Sequence, residues 1–171
     1  MGVPVLETER LILRGRSMAD FPAYAAMWAE PAVTRHITGR PLNAEEAWTK
    51  FTRMSGFWAL LGYGFWLVEE KASGLLIGEA GVGDFRREIV PPLAGKPEFG
   101  WVFAGAAQGK GYATEAARAG LSWAEAKFPG ATMCCLINED NAASVRVAEK
   151  LGFREAARAA YLGSAVIVFE R

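Results

Sequence analysis

The stretch that decides the fold is residues 98–116, which read Glu-Phe-Gly-Trp-Val-Phe-Ala-Gly-Ala-Ala-Gln-Gly-Lys-Gly-Tyr-Ala-Thr-Glu-Ala. It begins as an apolar, aromatic-rich run of strand length and passes through two glycines, Gly109 and Gly111. It then enters a run of good helix formers from Ala113 to Lys127. The stretch therefore predicts a strand, a glycine-containing loop and the start of a helix.

A loop of this kind is suited to binding phosphate. The first N–H groups of a helix have no partner inside the helix and point along its positive end. Glycines let the backbone approach an anion closely, because no side chain stands in the way. Gly109-Lys110-Gly111 is not a Walker loop, and the chain has no Gly-x-Gly-x-x-Gly. The pattern predicts a phosphate cradle of another kind and gives no support to a nucleotide-triphosphate enzyme.

The composition is that of a globular protein, and we expect residues 1–171 to fold as one domain. Apolar residues make up 51% and charged residues 22%, and the acidic and basic residues both number 19. This balance provides no basic field for nucleic acid or anionic lipid. No N-terminal stretch has the layout of a signal peptide and no apolar run is long enough to cross a bilayer, so we expect a cytoplasmic protein.

The two cysteines, Cys134 and Cys135, are adjacent, and on a strand their side chains point to opposite faces. They are poorly placed to form a disulfide, and free thiols fit a reducing compartment. The single histidine, His36, lies far away in sequence, so a catalytic cysteine would lack a base. We expect no metal site, because no His/Cys cluster with ligand spacing is present.

The order of predicted elements is β-α-α-β-β-β-α-β-α-β-β, with residues 6–14 as one first strand and residues 32–42 as a loop. Asn43 and Asn141 are predicted helix caps, and residues 86–97 form a loop long enough to overhang a site. This order predicts an α+β fold with a mixed, mostly antiparallel sheet of about seven strands and helices on both faces. Only residues 98–137 require a parallel pair, joined by a right-handed crossover.

Gln108-Gly109-Lys110-Gly111-Tyr112-Ala113 resembles the Gln/Arg-x-x-Gly-x-Gly/Ala signature of the GNAT N-acetyltransferases. The whole chain resembles the branch that contains RimJ and RimL, through residues 6–14, residues 98–116 and a last motif. That last motif comprises Asn138, Asn141, Ser144 and Glu149-Lys150-Leu151-Gly152-Phe153. Gly105 stands where the branch often has proline. The resemblance implies the GNAT fold, in which two central parallel strands splay apart.

The resemblance also implies acetyl-coenzyme A as cosubstrate, with no metal. In this family the glycine loop holds the pyrophosphate, and the pantetheine arm lies between the splayed strands. The arm is assigned to the backbone groups of Val102, Phe103 and Ala104, with the Asn141 amide touching it as well. The pyrophosphate is assigned to the N–H groups of Gln108, Gly109, Lys110, Gly111, Tyr112 and Ala113.

Glu98, at the start of the pivotal strand, is the candidate base. Acetyl transfer needs a neutral amine, and free amines are mostly protonated near neutral pH. A carboxylate at the cleft can take that proton directly or through water. Related enzymes often carry a glutamate here, and the alternative is a solvated glutamate at a strand end. Glu79, on the preceding strand, is the substitute candidate.

Ser144 is the candidate donor to the departing thiolate, as the resemblance implies, and the alternative is a capping or packing serine. Lys110 is a solvated neighbour of the phosphates or a partner to them, and Tyr112 is a core residue or a site residue. His36 is a surface histidine or borders the acceptor groove. One of four tryptophans is expected to line the acceptor pocket, without an indication of which: Trp28, Trp48, Trp58 and Trp66.

Two functions remain open from the sequence. The first is an acetyl-CoA-dependent N-acetyltransferase that acetylates a primary amine by direct attack in a ternary complex. Its acceptor is a protein N-terminal amine or a small-molecule amine. The second is a GNAT-fold module that binds an acyl-coenzyme A as sensor or scaffold without turnover. The resemblance is compatible with a homodimer, and the sequence does not decide the oligomeric state.

Overall fold

A mixed β-sheet forms the centre of the molecule. In residues 2–171, which the computed structural model describes, this sheet has eight strands. The strands are β1 (Leu6–Glu7), β2 (Leu11–Arg14), β3 (Phe65–Glu70), β4 (Leu76–Gly83), β5 (Glu98–Phe103), β6 (Cys134–Asn138), β7 (Arg154–Tyr161) and β8 (Ser164–Glu170). Their spatial order is β1-β2-β3-β4-β5-β6-β8-β7. Every neighbouring pair is antiparallel except β5 and β6, which run parallel as predicted.

Helices cover both faces of the sheet. They are α1 (Phe21–Trp28), α2 (Pro31–Thr34), α3 (Ala44–Leu61), α4 (Tyr112–Lys127) and α5 (Ala142–Lys150). On one face, Leu67 of β3 is buried with Tyr24 of α1 and Phe51 of α3. On the other face, Phe99 of β5 is buried with Leu121 of α4. Successive residues of a strand face opposite sides, so each central strand contributes to both cores.

The longest helix begins and ends where the sequence indicates. The Asn43 Oδ1 accepts the N–H of Glu46 at 2.9 Å, and the Glu46 carboxylate accepts the N–H of Asn43 at 2.9 Å. This reciprocal capping box fixes the start of α3. At the other end, Gly62 adopts the left-handed conformation with φ of 71°.

Two elements differ from the sequence prediction. Residues 6–14 are not one strand but two short antiparallel ones, with Leu6 opposite Leu13, and this split raises the strand number from about seven to eight. Bonds from Thr8 and the backbone N–H of Arg10 to Glu115 of α4 hold the turn, a tertiary contact that the local pattern does not show. Within the turn, the Thr8 N–H also donates to the Leu11 carbonyl at 3.0 Å. The expected loop over residues 32–42 contains the end of the short helix α2, whose first position is Pro31.

The two cysteines are free and buried, on opposite faces of β6 as predicted. Cys135 packs in the cluster of Phe99 and Leu121, and Cys134 packs with Ile89 of the long loop. Among residues 2–171, none of the helices combines the length and the apolar character that crossing a bilayer requires.

Candidate active site

The two parallel strands separate almost as soon as they meet. Their ladder has one paired position in the described residues, Glu98 with Cys134. A cavity of about 520 Å³ lies at the opening, lined by residues of α3 on one face of the sheet and by residues at the start of α5 on the other. Residues of β5 and β6 also line it, from Glu98 to Val102 and from Cys135 to Asn138. The central parallel strands β5 and β6 therefore splay apart, as the sequence resemblance predicts.

The register with β4 decides which backbone groups of β5 point into the gap. The N–H of Ala104 donates to the carbonyl of Ile77 at 2.9 Å, and Val102 lies opposite Glu79. Because bonded positions alternate in an antiparallel ladder, Val102 also bonds to β4, while Trp101 and Phe103 face β6. The Ala104 carbonyl accepts the N–H of Ala107 at 2.9 Å. The prediction that the backbone groups of Val102 and Ala104 bind the pantetheine arm therefore does not fit this register, whereas the same prediction for Phe103 does.

The loop after β5 presents a row of unused donors at the start of α4. Gly109 and Gly111 adopt φ of 75° and 81°, a conformation that glycine tolerates at little cost. In the described part of the chain, the N–H groups of residues 109–114 have no protein acceptor. These N–H groups and the positive end of the 16-residue helix α4 form a concave anion site.

Side chains from distant elements hold this loop in place. Arg10 donates to the carbonyl of Lys110 at 3.0 Å and pairs with Glu115 of α4 at 2.6 Å. Burial opposes ionisation of Glu115, but the hydrogen bonds from Thr8 and Arg10 more than offset it and lower the pKa of Glu115. Gln108 turns back and donates to the Phe103 carbonyl at 3.0 Å. The loop is thus fixed before any ligand arrives.

The side chains of Lys110 and Tyr112 have different surroundings. Lys110 is exposed, beside the row of N–H groups. Tyr112 is buried in the core, lies under the Arg10 guanidinium at 4.4 Å, and donates its hydroxyl to Glu70. Tyr112 therefore reaches a ligand through its backbone N–H alone.

Glu98 lines the cavity, and an arginine already holds its carboxylate. Arg87 donates to both oxygens at 2.7 Å, in a bidentate pair. Burial lowers the pKa of Arg87, but the Glu98 carboxylate more than offsets it, so the net shift is upward. Arg87 comes from the long loop 86–97, which the sequence predicts to overhang a site. A carboxylate has about four acceptor positions, of which Arg87 uses two, so Glu98 can still accept a hydrogen bond from a ligand.

Glu79 is more tightly enclosed. Its side chain is 2% exposed and pairs with Arg16, whose side chain is 3% exposed. The hydroxyl of Tyr24 donates to its other oxygen at 3.1 Å. Burial, with the negative charge of Glu79, raises the pKa of Tyr24, so that hydroxyl stays protonated. Glu79 lines the same cavity but already accepts from two fixed donors.

Asn141 and Ser144 stand at the opposite wall, where α5 begins. The Asn141 Oδ1 accepts the N–H of Ser144 at 3.1 Å, which confirms Asn141 as the cap. Both residues line the cavity. Among the described residues the Ser144 hydroxyl has no protein partner, so it is available to a ligand.

The structure brings together most of the residues that the sequence singles out. Glu98, Val102, Asn141 and Ser144 share the cavity, while residues 108–113 lie beyond its end, at the start of α4. Of the four tryptophans, Trp28 lines the cavity, and so does His36.

The sequence did not indicate four basic residues at the site. Arg10, Arg16 and Arg87 pair with carboxylates of other elements, and Lys50 of α3 lines the cavity. No local motif marks any of them. The only signal was the length of the loop that carries Arg87.

These residues fit acetyl-coenzyme A in two respects. The gap offers unpaired strand edges to an amide-containing arm, with Trp101 and Phe103 on one side and Leu136 on the other. The Gly109–Thr114 N–H groups suit a diphosphate. Residues 108–113 and the edge of β5 would hold the molecule, with Asn141 and Ser144 near its reactive end.

Comparisons with known proteins agree with this geometry. A family model described as "Acetyltransferase (GNAT) domain" matches residues 10–154. A putative GnaT-family acetyltransferase from Bordetella pertussis is 34% identical, with a TM-score of 0.87 over 99% of each chain. The uncharacterized protein YkkB of Bacillus subtilis (strain 168) is 29% identical over 97% of this chain and 94% of its own.

A more distant structure is that of RimL, a ribosomal L7/L12 alpha-N-protein acetyltransferase in complex with coenzyme A. It has a TM-score of 0.77 at 15% identity, over 98% of this chain and 97% of its own. That identity shows a shared fold and no more. The family model covers most of the chain, and the fold has the splayed strands and the glycine loop at its centre. The chain therefore belongs to the GNAT acetyltransferase family.

Proposed function

We propose that this protein is an acetyl-CoA-dependent N-acetyltransferase that acetylates a primary amine by direct attack in a ternary complex. The main support is the cavity at the gap between β5 and β6, which is lined by α3 residues on one face of the sheet and by residues at the start of α5 on the other. A thioester held along the gap from the α4 side would thus meet an amine that enters from the α3 side. No covalent enzyme nucleophile is needed, and both cysteines are buried.

Acetyl-CoA would supply an activated acetyl group as a thioester. The N–H groups of residues 109–113 would hold its diphosphate, and the edge of β5 would orient its arm. The N–H of Trp101 faces the gap and would donate to the carbonyl oxygen, where negative charge grows during attack.

Glu98 would accept the proton that the amine loses, because it lines the cavity and retains free acceptor positions. Arg87 would hold the carboxylate in one orientation. Ser144, across the gap, would donate a hydrogen bond to the departing thiolate, which the proton released by the amine finally neutralises. Glu79 is the less suitable base because its carboxylate is more deeply enclosed: its side chain is 2% exposed, against 10% for that of Glu98.

The test is a turnover assay. Release of the coenzyme A thiol is followed for a panel of small amines and N-terminal peptides, with mass spectrometry of the acetylated product. We expect at least one amine to raise thiol release well above hydrolysis without acceptor. If no amine does so while acetyl-CoA still binds, the protein is a binding module and the proposal is wrong.

A further inference from the structure

The end of the cavity beneath α3 carries more positive charge than the reaction requires. Three cations line the cavity, Arg35, Lys50 and Arg87, against two carboxylates, Glu79 and Glu98. Both carboxylates are already paired, Glu98 with Arg87 and Glu79 with Arg16. Within the described residues, neither Lys50 nor Arg35 has a carboxylate at ion-pair distance. The cavity therefore keeps two uncompensated positive charges.

Lys50 is the more informative of these two cations, because Arg35 is exposed. Lys50 lies on α3, and its ammonium stands 4.3 Å above the ring of Trp28, a fully buried residue. Burial lowers the pKa of Lys50, and the neighbouring Arg53, Arg16 and Arg87 act in the same direction against Glu79. Lys50 is half-buried, and a partly desolvated cation without a carboxylate partner is costly, so an anion beside it would remove part of that cost.

This end of the cavity belongs to the acceptor rather than to coenzyme A. The phosphate loop leads into α4, and α3 packs against the other face of the sheet. The diphosphate therefore has its own donors, and Lys50 lies on the face from which the amine would enter. Apolar side chains complete this part of the wall: Met54, Phe65 and Phe85.

We propose that Lys50 binds an anionic group of the acceptor, so that the substrate is a primary amine that also carries a carboxylate or a similar anion. This inference rests on the proposed acetyl transfer. It deepens that function by naming the class of acceptor, a compact amino acid-like amine.

The experiment compares a ladder of ω-amino acids with the corresponding ω-amino amides, which lack the charge. We expect the wild type to favour the acid over the amide in kcat/KM for at least one chain length. Lys50→Met should reduce that acid-to-amide ratio roughly tenfold to a hundredfold, the range for a hydrogen bond to a charged group. Lys50→Arg should retain much of the ratio. Lys127→Met, which removes an exposed lysine at the end of α4, should leave it unchanged.

A binding measurement separates failure of this inference from failure of the proposed function. N-acetylated ω-amino acids and their amides are titrated by calorimetry into each variant saturated with coenzyme A. Acid-selective binding that Lys50→Met abolishes supports the anion site even if no amine is turned over. Equal binding of acid and amide, or an acid preference that survives Lys50→Met, would overturn it, whether or not acetyl transfer occurs.

Discussion

Replacing Gly111 with aspartate should remove most of the affinity for acetyl-CoA. Gly111 precedes α4 with φ of 81°, where its N–H and those around it have no protein acceptor. Gly111→Asp would add a negative charge where the diphosphate is expected. A Cβ at this position would lie 3.4 Å from Arg10 Nη2, so the new carboxylate would also compete with Glu115 for that arginine.

Two effects contribute to the expected loss. A side chain in the left-handed conformation costs about 1–2 kcal/mol, and this cost weakens binding because the free loop can relax to avoid it whereas the bound loop cannot. Two like charges about 4 Å apart repel by about 1 kcal/mol in water and about 4 kcal/mol near a protein surface. Arg10 screens part of this repulsion, so we expect a total of about 2–4 kcal/mol, or roughly 30-fold to 1,000-fold in Kd.

Comparing Gly111→Asp with Gly111→Asn isolates the effect of the negative charge, because asparagine has the same shape as aspartate and tolerates this backbone conformation comparatively well. Calorimetry with acetyl-CoA should show a small loss for Gly111→Asn and a much larger one for Gly111→Asp, and added salt should narrow the difference. Gly130→Asp is the control for folding, since Gly130 has φ of 77° and an open position beyond the end of α4. Equal affinities for Gly111→Asp and Gly111→Asn would refute the phosphate cradle.

Glu98→Gln should leave acetyl-CoA affinity unchanged and reduce kcat/KM most at low pH, where the amine is protonated; a deficit independent of pH would reject Glu98 as the base. Glu115→Gln should lower the free energy of unfolding by about 1–3 kcal/mol at pH 7, by weakening the contact with Arg10. The pKa of Glu115 is depressed in the folded state, so its contribution to the free energy of unfolding is fully present above the ordinary glutamate pKa. This contribution is lost as the pH falls through the folded-state pKa. The denaturation curves of the wild type and Glu115→Gln should therefore converge in acid. Burial, with the nearby Glu98 charge, raises the pKa of Cys134 to about 12, so its thiol should resist alkylation at pH 8 until the protein unfolds; rapid labelling of the native state would contradict this placement.

Local patterns predicted the elements that depend on local interactions. The Asn43 and Asn141 caps and the glycine loop follow from residues within a few positions of each other. The parallel crossover from β5 through α4 to β6 follows from the order of these elements along the chain. Helix capping and hydrophobic periodicity act at that range, so one sequence is enough to read them.

The features that were not predicted depend on contacts between distant residues. The turn that divides the first strand is held by the bond from Thr8 to Glu115, more than a hundred residues away. The free edge of β5 shifts by one residue because the β4 register decides which groups face the gap. Arg87 and Arg16 pair with the two candidate bases through side-chain geometry that no motif encodes.

Amide hydrogen exchange with and without acetyl-CoA reports on the phosphate cradle and the strand edge themselves. Acetyl-CoA should slow exchange at residues 109–114, whose N–H groups lack a protein acceptor, and at Trp101 on the edge of β5. Exchange in the β7–β8 hairpin should stay the same. Unchanged exchange at residues 109–114 under saturating acetyl-CoA would show that these N–H groups do not bind the diphosphate.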